Sequence, residues 1–389
     1  MGKIPKFAVL SHVLPPLPSG QAVILYRLLK NFDKNQYCLI STKDYQIDDK
    51  HLSTEKLSAK CYKSKPLLFL KGRVLFLDLF LVANQIKKIL IKEKCRVLIC
   101  ATGGFLDMPA AYLACKWAKV EFIPYIFDDY VYQWTGFHRK LAAWMMPRIA
   151  KKAIAMVVPN EFIQKDYEKL YHIKCKLIHN SQTPIDLKKI DQAKPIFDKK
   201  EINIVYTGMV YHANYDAFFN LIEAVGRINK INGKKLIIHI YSLQSAQDLA
   251  EIGIKGKNVL VHEHVPQSEI HTVQRQADIL FLPLGFKTPI AEVIRTSEPA
   301  KMAEYQAIGR PILVHVPRDT YIKWYFEKNK CGIVVSQNDS KILAKEIVRL
   351  VKNPQLQKSI SKQALIMAEG DFSLDVSRAR FIQLLESLN

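Results

Sequence analysis

Short apolar runs alternate with longer amphipathic stretches along most of the chain. In the first half, residues 7–11, 97–101 and 121–127 are apolar and have the length of buried strands. Residues 74–94 and 109–118 instead show the spacing of a helix with one apolar face. Strands separated by helices of this length predict βαβ units and a parallel sheet.

The alternation is interrupted once and then begins again. Residues 183–200 are polar and contain Pro184 and Pro195, as expected of a linker. A new strand is predicted at residues 202–206, followed by further strands and helices. A chain of 389 residues exceeds one ordinary core. We therefore predict an α/β protein with domains at 1–182 and 201–370, joined by the linker at 183–200, and a terminal helix within 371–389.

Composition narrows the class of protein. The chain is 49% hydrophobic and 24% charged, which is typical of globular proteins. It has no uncharged apolar stretch of 18 residues and no signal-peptide pattern at its start, so a cytoplasmic location is expected. Seven cysteines without a C-x-x-C pair predict reduced thiols, with neither a disulfide framework nor a zinc site.

The net charge of +21 lies mostly in the first half of the chain. Residues 1–185 hold 29 Lys/Arg against 14 Asp/Glu, and residues 186–389 hold 28 against 22. This asymmetry favours a polyanionic neighbour such as an anionic membrane, a pyrophosphate-linked acceptor or nucleic acid. Residues 60–73 and 137–152 mix cations with large apolar side chains and suit a membrane interface. A lysine-rich solvated surface over ordinary core packing explains the same pattern equally well.

The most informative motif is PAKMAEYQAIGRP at residues 299–311, directly before an apolar strand. Pro299 suits the first turn of a helix, and Gly309 suits the left-handed residue that ends it. The start of such a helix attracts anions, because its free N–H groups and dipole both point there. Glu304, one turn inside, could accept hydrogen bonds from ribose hydroxyls. The alternative is an ordinary helix–turn–strand connection.

This motif resembles the nucleotide-sugar site of GT-B glycosyltransferases, of family 4 in particular. The resemblance implies two doubly wound, Rossmann-like parallel-sheet domains facing across a cleft, with the residues of 371–389 crossing back to the N-terminal domain. It also implies transfer with retention of configuration from a UDP- or GDP-linked sugar, without a cofactor or bound metal. The acceptor would be an envelope glycan or a lipid-linked molecule.

By the same resemblance, the donor would be bound by one continuous segment together with a glycine turn. These residues are Gly208, Thr296, Ser297, Glu298, Pro299, Ala300, Lys301 and Glu304. The sequence departs from the family twice. Thr296 stands where the family has a first Glu, and the Arg and Lys that follow the glycine turn are missing after Gly208. Lys301, Arg295 or backbone N–H groups could supply the missing positive charge.

Two loops of the first half are expected on the acceptor side. Ser19, Gly20 and Gln21 follow a proline-rich turn after the first strand, and Gly103 and Gly104 follow the strand at 97–101. Glycines at these points would let the backbone approach a ligand closely. Helix capping by Ser19 is an equally good interpretation.

Asp128 and Asp129 end the strand at 121–127, near the place where the family often has a His–Asp pair. Two adjacent carboxylates raise one another's pKa, which suits general acid–base catalysis. They are the candidate catalytic residues, although a turn capped by an aspartate fits nearly as well. His262 and His264 form an H-x-H pattern, which is only a weak metal signal.

The sequence thus predicts a glycosyltransferase located in the cytoplasm, either free or peripheral on the inner face of the membrane. Its partners would be a nucleotide-sugar donor, a glycan or lipid-linked acceptor and an anionic membrane surface. Two alternatives remain open: a non-catalytic protein that binds nucleotide sugars or polyanions, and a GT-B epimerase or hydrolase of nucleotide sugars. Nucleic-acid binding is not expected, because no recognition motif accompanies the charge.

Overall fold

The computed structural model describes residues 4–17, 19–41, 54–64, 75–263 and 265–388. Most of the basic–apolar segment predicted at 60–73, and His264 of the H-x-H pattern, lie outside the described residues. The chain folds into two compact units. The first unit comprises Met1–Ser181 and Leu374–Asn389, and the second comprises Gln182–Ser373.

The first unit contains a seven-stranded parallel sheet in the order β3-β2-β1-β4-β5-β6-β7. Its strands are short and, apart from the edge strand β3, almost wholly buried, because helices cover both faces of a parallel sheet. The strands are β1 Phe7–Leu10, β2 Tyr37–Ser41, β3 Lys60–Lys63, β4 Val97–Ala101, β5 Glu121–Tyr125, β6 Met156–Val158 and β7 Cys175–Leu177.

Helices pack on both sides of this sheet and form two separate apolar clusters with it. They are α1 Gly20–Leu29, α2 Leu75–Lys92, α3 Asp107–Ala118, α4 Gly136–Lys152, α5 Glu161–Tyr171 and the C-terminal α15 Leu374–Glu386. In α15, the Phe381 ring meets Phe7 at 6.3 Å, and the Arg378 guanidinium donates to the Arg27 carbonyl at 2.6 Å. The last helix therefore belongs to the core of the first unit.

The second unit contains a six-stranded parallel sheet in the order β10-β9-β8-β11-β12-β13. The strands are β8 Glu201–Thr207, β9 Lys235–Tyr241, β10 Val259–His262, β11 Ile279–Pro283, β12 Ile312–His315 and β13 Ile333–Val335. The helices are α6 Leu187–Ile190, α7 Tyr215–Arg227, α8 Ala246–Glu251, α9 Gln267–Gln276, α10 Ala291–Thr296, α11 Ala300–Ile308, α12 Tyr321–Asn329, α13 Ser340–Lys352 and α14 Pro354–Glu369.

The structure differs from the sequence predictions in several local details. Residues 137–152, considered above for a membrane interface, form most of α4, which continues through Pro147 to Lys152, and β6 is limited to Met156–Val158. Helix α12 was not expected from its aromatic-rich sequence. The residues predicted as a linker include α6, and Asp191 beyond it pairs with Arg275 at 2.7 Å. Among the described residues, no helix is long and apolar enough to cross a membrane.

Candidate active site

In doubly wound sheets, ligands bind beyond the carboxyl ends of the strands, where the strand order reverses. This point lies between β1 and β4 in the first unit and between β8 and β11 in the second. The predicted site residues lie near these two edges. Each edge is described separately below.

In the second unit, β8 ends on a glycine turn that receives a lysine from far along the chain. Gly208 has a φ of +128°, and a Cβ on it would lie 3.0 Å from the Nζ of Lys301. Lys301 Nζ donates to the hydroxyl of Tyr206 at 2.7 Å and lies 4.4 Å from the centre of that ring. The structure thus brings together two predicted donor residues, Gly208 and Lys301, at the end of the first strand of the sheet.

Helix α11 is fixed against the same strand end by a buried tyrosine. Tyr305 accepts a hydrogen bond from the backbone N–H of Thr207 at 3.0 Å, and the two hydroxyls lie 3.2 Å apart. Burial raises the pKa of Tyr305 to about 12, so its hydroxyl stays protonated. Glu304 precedes it, half-buried, one turn beyond Lys301 and on the same side of the helix. The anchor therefore fixes the helix that carries Lys301 and Glu304, with Lys301 beside Gly208.

The start of α11 has the predicted form. Pro299 is the N-cap, no side chain caps the first turn, and that turn holds no acidic residue. Gly309 ends the helix in the left-handed conformation, with φ of 66°. Ser297 and Ala300, also predicted to bind the donor, flank this start and are half-buried. A helix start without an acidic side chain leaves its positive dipole end for an external anion.

Thr296 and Glu298 are placed differently from their neighbours. Thr296 is buried at the last turn of α10, and its hydroxyl is 3.4 Å from the carbonyls of both Glu292 and Val293. Glu298 is 4% exposed. The threonine hydroxyl is therefore used within its own helix.

A cavity of about 290 Å³ opens at the carboxyl ends of β11 and β12. Its wall includes Gly285, Phe286, Arg295 and Arg318. Arg318 lies in the loop after β12 and was not among the predicted site residues. The signal that could have found it is its position three residues beyond a predicted buried strand, where the loops of such sheets bind ligands.

In the first unit, the loops after β1 and β4 approach each other at the switch point. A Cβ on Gly103, whose φ is +146°, would lie 3.3 Å from His12 and 3.6 Å from Gln21. Gln21 donates to Ser11 Oγ at 2.9 Å. The predicted acceptor residues Gln21 and Gly103 are thus neighbours.

Ser19 and Gly104 are two further predicted acceptor residues. Each of them has a role in the local structure. Ser19 is the N-cap of α1, which begins at Gly20, but its side chain makes no capping bond. A Cβ on Gly104 would collide with the carboxylate of Asp107, at 2.5 Å. Asp107 is the first residue of α3. Gly104 is therefore needed for packing of the buried Asp107 side chain.

The two aspartates after β5 differ in their surroundings. Asp129 is buried, and its carboxylate accepts hydrogen bonds from the backbone N–H groups of Val131 and Tyr132 at 2.8 and 2.9 Å. Burial raises its pKa. Asp128 keeps its side chain exposed, while the surrounding protein and the Asp129 charge raise its pKa as well. Asp129 therefore holds the turn, and Asp128 is the carboxyl group of the pair that a ligand can reach.

His262 of the H-x-H pattern pairs with a histidine on the neighbouring strand. His239 Nδ1 lies 2.9 Å from His262 Nε2, and His239 Nε2 lies 3.0 Å from Asn203 Oδ1. Burial lowers the pKa of His239 to about 4 and also lowers that of His262. Among the described residues, no group of three or more His, Cys, Asp or Glu side chains could hold a metal ion.

Comparison with known proteins agrees with this architecture. Residues 201–353, within the second unit, match the model of the family Glycosyl transferases group 1. A search of curated protein sequences found no match.

Several solved structures are similar to this chain over nearly its whole length, at low sequence identity. A glycosyltransferase from Rickettsia africae has a TM-score of 0.69 at 13% identity, covering 98% of each chain. Anabaena Alr3699/HepE in complex with UDP and glucose has a TM-score of 0.71 at 13% identity, covering 98% of this chain and 99% of its own. Sucrose-phosphate synthase from Thermosynechococcus elongatus has a TM-score of 0.68 at 12% identity, with the same coverage. The predicted fold class, two Rossmann-like domains of GT-B type, is confirmed.

Proposed function

We propose that this protein transfers a sugar from a nucleotide diphosphate sugar to an envelope glycan or lipid-linked acceptor. One observation carries the proposal: Lys301 and the start of α11 meet the glycine turn at Gly208. A cation, free helix N–H groups and an open backbone turn together form a site for a diphosphate. The group 1 domain in the same residues supports this assignment.

In this proposal the donor lies along the carboxyl ends of β8, β11 and β12. The Lys301 ammonium and the first turn of α11 stabilise the charge of the departing diphosphate, which is an electrostatic contribution to catalysis. Glu304 accepts hydrogen bonds from the ribose. Arg295 and Arg318 lie at the neighbouring cavity, whose wall also holds Glu292 and Asp319. The bound UDP of Alr3699/HepE makes a uridine donor the first one to test.

The acceptor is proposed to bind at the first unit. Gln21 and Gly103 form a surface at the β1–β4 switch point, where ligands of such sheets bind. Asp128, the exposed aspartate, is the proposed catalytic carboxyl group, and its raised pKa suits proton transfer. We propose retention of configuration, a cytoplasmic location and attachment to the inner face of the membrane as parts of the same hypothesis, following the family resemblance and the basic first unit.

Calorimetric titration with UDP-, GDP-, ADP- and CMP-sugars tests the donor assignment. We expect saturable binding of one nucleotide class by the natural protein and about tenfold weaker binding by Glu304→Gln, which loses charge-assisted bonds to the ribose. Glu327→Gln on the exposed face of α12 is the matched control and should bind normally. Failure of every nucleotide sugar to bind would contradict the proposal.

A non-catalytic nucleotide-sugar-binding protein is the second candidate, and the position of Thr296 favours it. The residue that stands in place of the family's first Glu keeps its hydroxyl against its own helix. Such a protein would bind the donor but neither transfer nor hydrolyse the sugar. The two candidates are separated by measuring whether free nucleotide is released from the bound donor when a glycan or lipid-phosphate acceptor is added. Release of nucleotide in the absence of any acceptor would indicate a hydrolase.

A further inference from the structure

An apolar cavity of the first unit opens among α2, α3 and α4, and the loops after β4 and β5 add Phe105, Leu106 and Tyr130 to its wall. This cavity has a volume of about 270 Å³ among the described residues. Helix α2 contributes Phe76 and Phe80, α3 contributes Tyr112 and Leu113, and α4 contributes Trp144 and Met145. No acidic side chain lies in its described wall. A nearly pure hydrocarbon lining does not suit a nucleotide or a sugar, which need several polar partners.

The rim of this cavity exposes aromatic rings to solvent. Phe76 is 59% exposed and Trp144 is 53% exposed. Phe80 stacks on Trp117 of α3 at 6.0 Å between ring centres, so two helices share one aromatic edge. Single exposed apolar side chains are common on soluble proteins, but a contiguous group of them around an opening marks a binding surface.

Two of the three helices place a cation one turn beyond their apolar lining residues. On α3, Lys116 follows Tyr112 and Leu113 at helical spacing and is exposed. On α4, Arg148 follows Trp144 in the same way; its guanidinium lies 3.8 Å from the centre of the Trp144 ring and donates to the Trp144 carbonyl at 2.6 Å. Lys151 continues this basic end of α4 as an exposed residue. The described wall of the cavity is therefore apolar apart from the Arg148 guanidinium, and Lys116 and Lys151 follow along the same two helices.

We propose that this cavity holds one hydrocarbon chain of an anionic membrane lipid, with Lys116 and Arg148 at the lipid phosphate. Charge decides between this occupant and a second copy of the chain. Two copies meeting at this surface would bring their positive rims together, whereas an anionic bilayer neutralises them. The basic excess of residues 1–185 points to the same class of partner.

This inference rests on the proposed membrane location and is independent of sugar transfer. Donor binding takes place at α11 of the second unit, so vesicle binding and donor titration can fail separately. The proposal concerns lipid of the bilayer itself. The acceptor of the reaction would lie instead at the β1–β4 edge.

Flotation of the full chain with phosphatidylcholine vesicles, with or without phosphatidylglycerol, tests the partner. We expect binding only when phosphatidylglycerol is present, and release at high salt. Lys116→Glu and Arg148→Glu should each weaken binding at least about fivefold, which corresponds to the loss of one cation near the surface. Lys165→Glu, an exposed lysine on α5, is the matched charge control and should lose less.

Fluorescence tests whether a chain enters the cavity. Vesicles with brominated acyl chains should quench part of the tryptophan emission. That part should shrink in Trp144→Phe, which leaves Trp117 beside the cavity, but should stay unchanged in Trp324→Phe of the second unit. Trp144→Ser should weaken vesicle binding about tenfold, while Leu170→Ser, an equally exposed apolar control on α5, should not. Unchanged melting temperatures would show that each variant folds.

Three results would overturn the proposal. The first is equal binding to neutral and anionic vesicles. The second is normal vesicle binding by both single variants, Trp144→Ser and Arg148→Glu. The third is a concentration-dependent dimer that these same substitutions dissociate, because the cavity would then be an interface between copies. Glycerol 3-phosphate, which has a phosphate but no chain, should fail to displace the protein from vesicles.

Discussion

The carboxyl-end edges of the two sheets have the same topology but different chemistry. In the first unit, the polar groups at this edge are engaged with one another: Gln21 bonds Ser11, and Asp129 caps its own turn. In the second unit, the edge gathers a lysine, a glycine turn and an uncapped helix start. Equivalent strand ends can therefore carry different chemistry. The lysine and the uncapped helix start of the second unit suit an anion, whereas the polar groups of the first unit hydrogen-bond mainly to one another.

The largest expected difference between the units is their response to acid. Burial lowers the pKa of His239 and of His315 from 6.5 to about 4. Both stay neutral when folded but bind protons at higher pH when unfolded, so the second unit loses stability as pH falls from 6.5 towards 4. The loss is about 3 kcal/mol for each histidine at most. In the first unit, the raised pKa of Asp129 acts in the opposite direction, because the folded form binds its proton more readily.

Hydrogen exchange of peptides from each unit between pH 6.5 and 4.5 measures this difference. We expect faster exchange in β9 and β12 than in β1 and β4 as the pH falls. His315→Gln should reduce the pH dependence of the second unit, since it removes the titrating group while keeping a polar side chain between Asn220 and Val335. Simultaneous loss of protection in both units would contradict the prediction.

Removal of the lysine at the glycine turn should have the next largest effect. Lys301→Met takes away the charge that would meet the diphosphate, and charge-assisted hydrogen bonds contribute about 1.5–3 kcal/mol. We expect about a hundredfold loss of nucleotide-sugar affinity in calorimetry. Lys301→Arg should lose less, because it keeps the charge. Tyr206→Phe serves as a control for the hydroxyl that Lys301 contacts, and an affinity loss there equal to that of Lys301→Met would assign the effect to packing.

Substitution of the two aspartates of the first unit should have different effects: Asp129 should matter for stability and Asp128 for activity. Asp129→Ala leaves two backbone N–H groups without their carboxylate and should lower the free energy of unfolding by about 2 kcal/mol. Asp128→Ala, at an exposed side chain, should leave the melting temperature almost unchanged while reducing turnover. Thermal unfolding and a transfer assay on both variants check this. Reduced turnover in Asp129→Asn but not in Asp128→Asn would exchange the two assignments.

The smallest effect is expected from the glycine turn itself. Gly208→Ala places a methyl group 3.0 Å from Lys301 Nζ at a φ of +128°. The strained backbone should lower the free energy of unfolding by about 1 kcal/mol, and the displaced lysine should weaken donor binding several-fold. Gly233→Ala is the control, because Gly233 also has a positive φ, of 77°, but no atom near its Cβ position. It should reproduce the stability loss without the affinity loss.

Local patterns predicted the fold well and the site in part. The alternation of apolar runs and amphipathic stretches predicted the parallel sheets, because each strand is buried on both faces. Gly309 was predicted from local backbone rules, and the structure confirms the left-handed helix end there. Helix α12 was not predicted, because its aromatic residues have weak helix propensity and its stability comes from burial of Tyr321 and Phe326.

The sequence by itself determined the alternation of strands and helices, most of the helix at residues 300–308 and the chemistry available at its start. These depend on neighbours in the chain, through side-chain periodicity and capping. Only the tertiary structure decided that Lys301 meets Tyr206, 95 residues away in the chain, and that Asp128 rather than Asp129 remains accessible. Those outcomes depend on which strand ends become adjacent in the sheet and on which backbone groups a carboxylate must satisfy once it is buried.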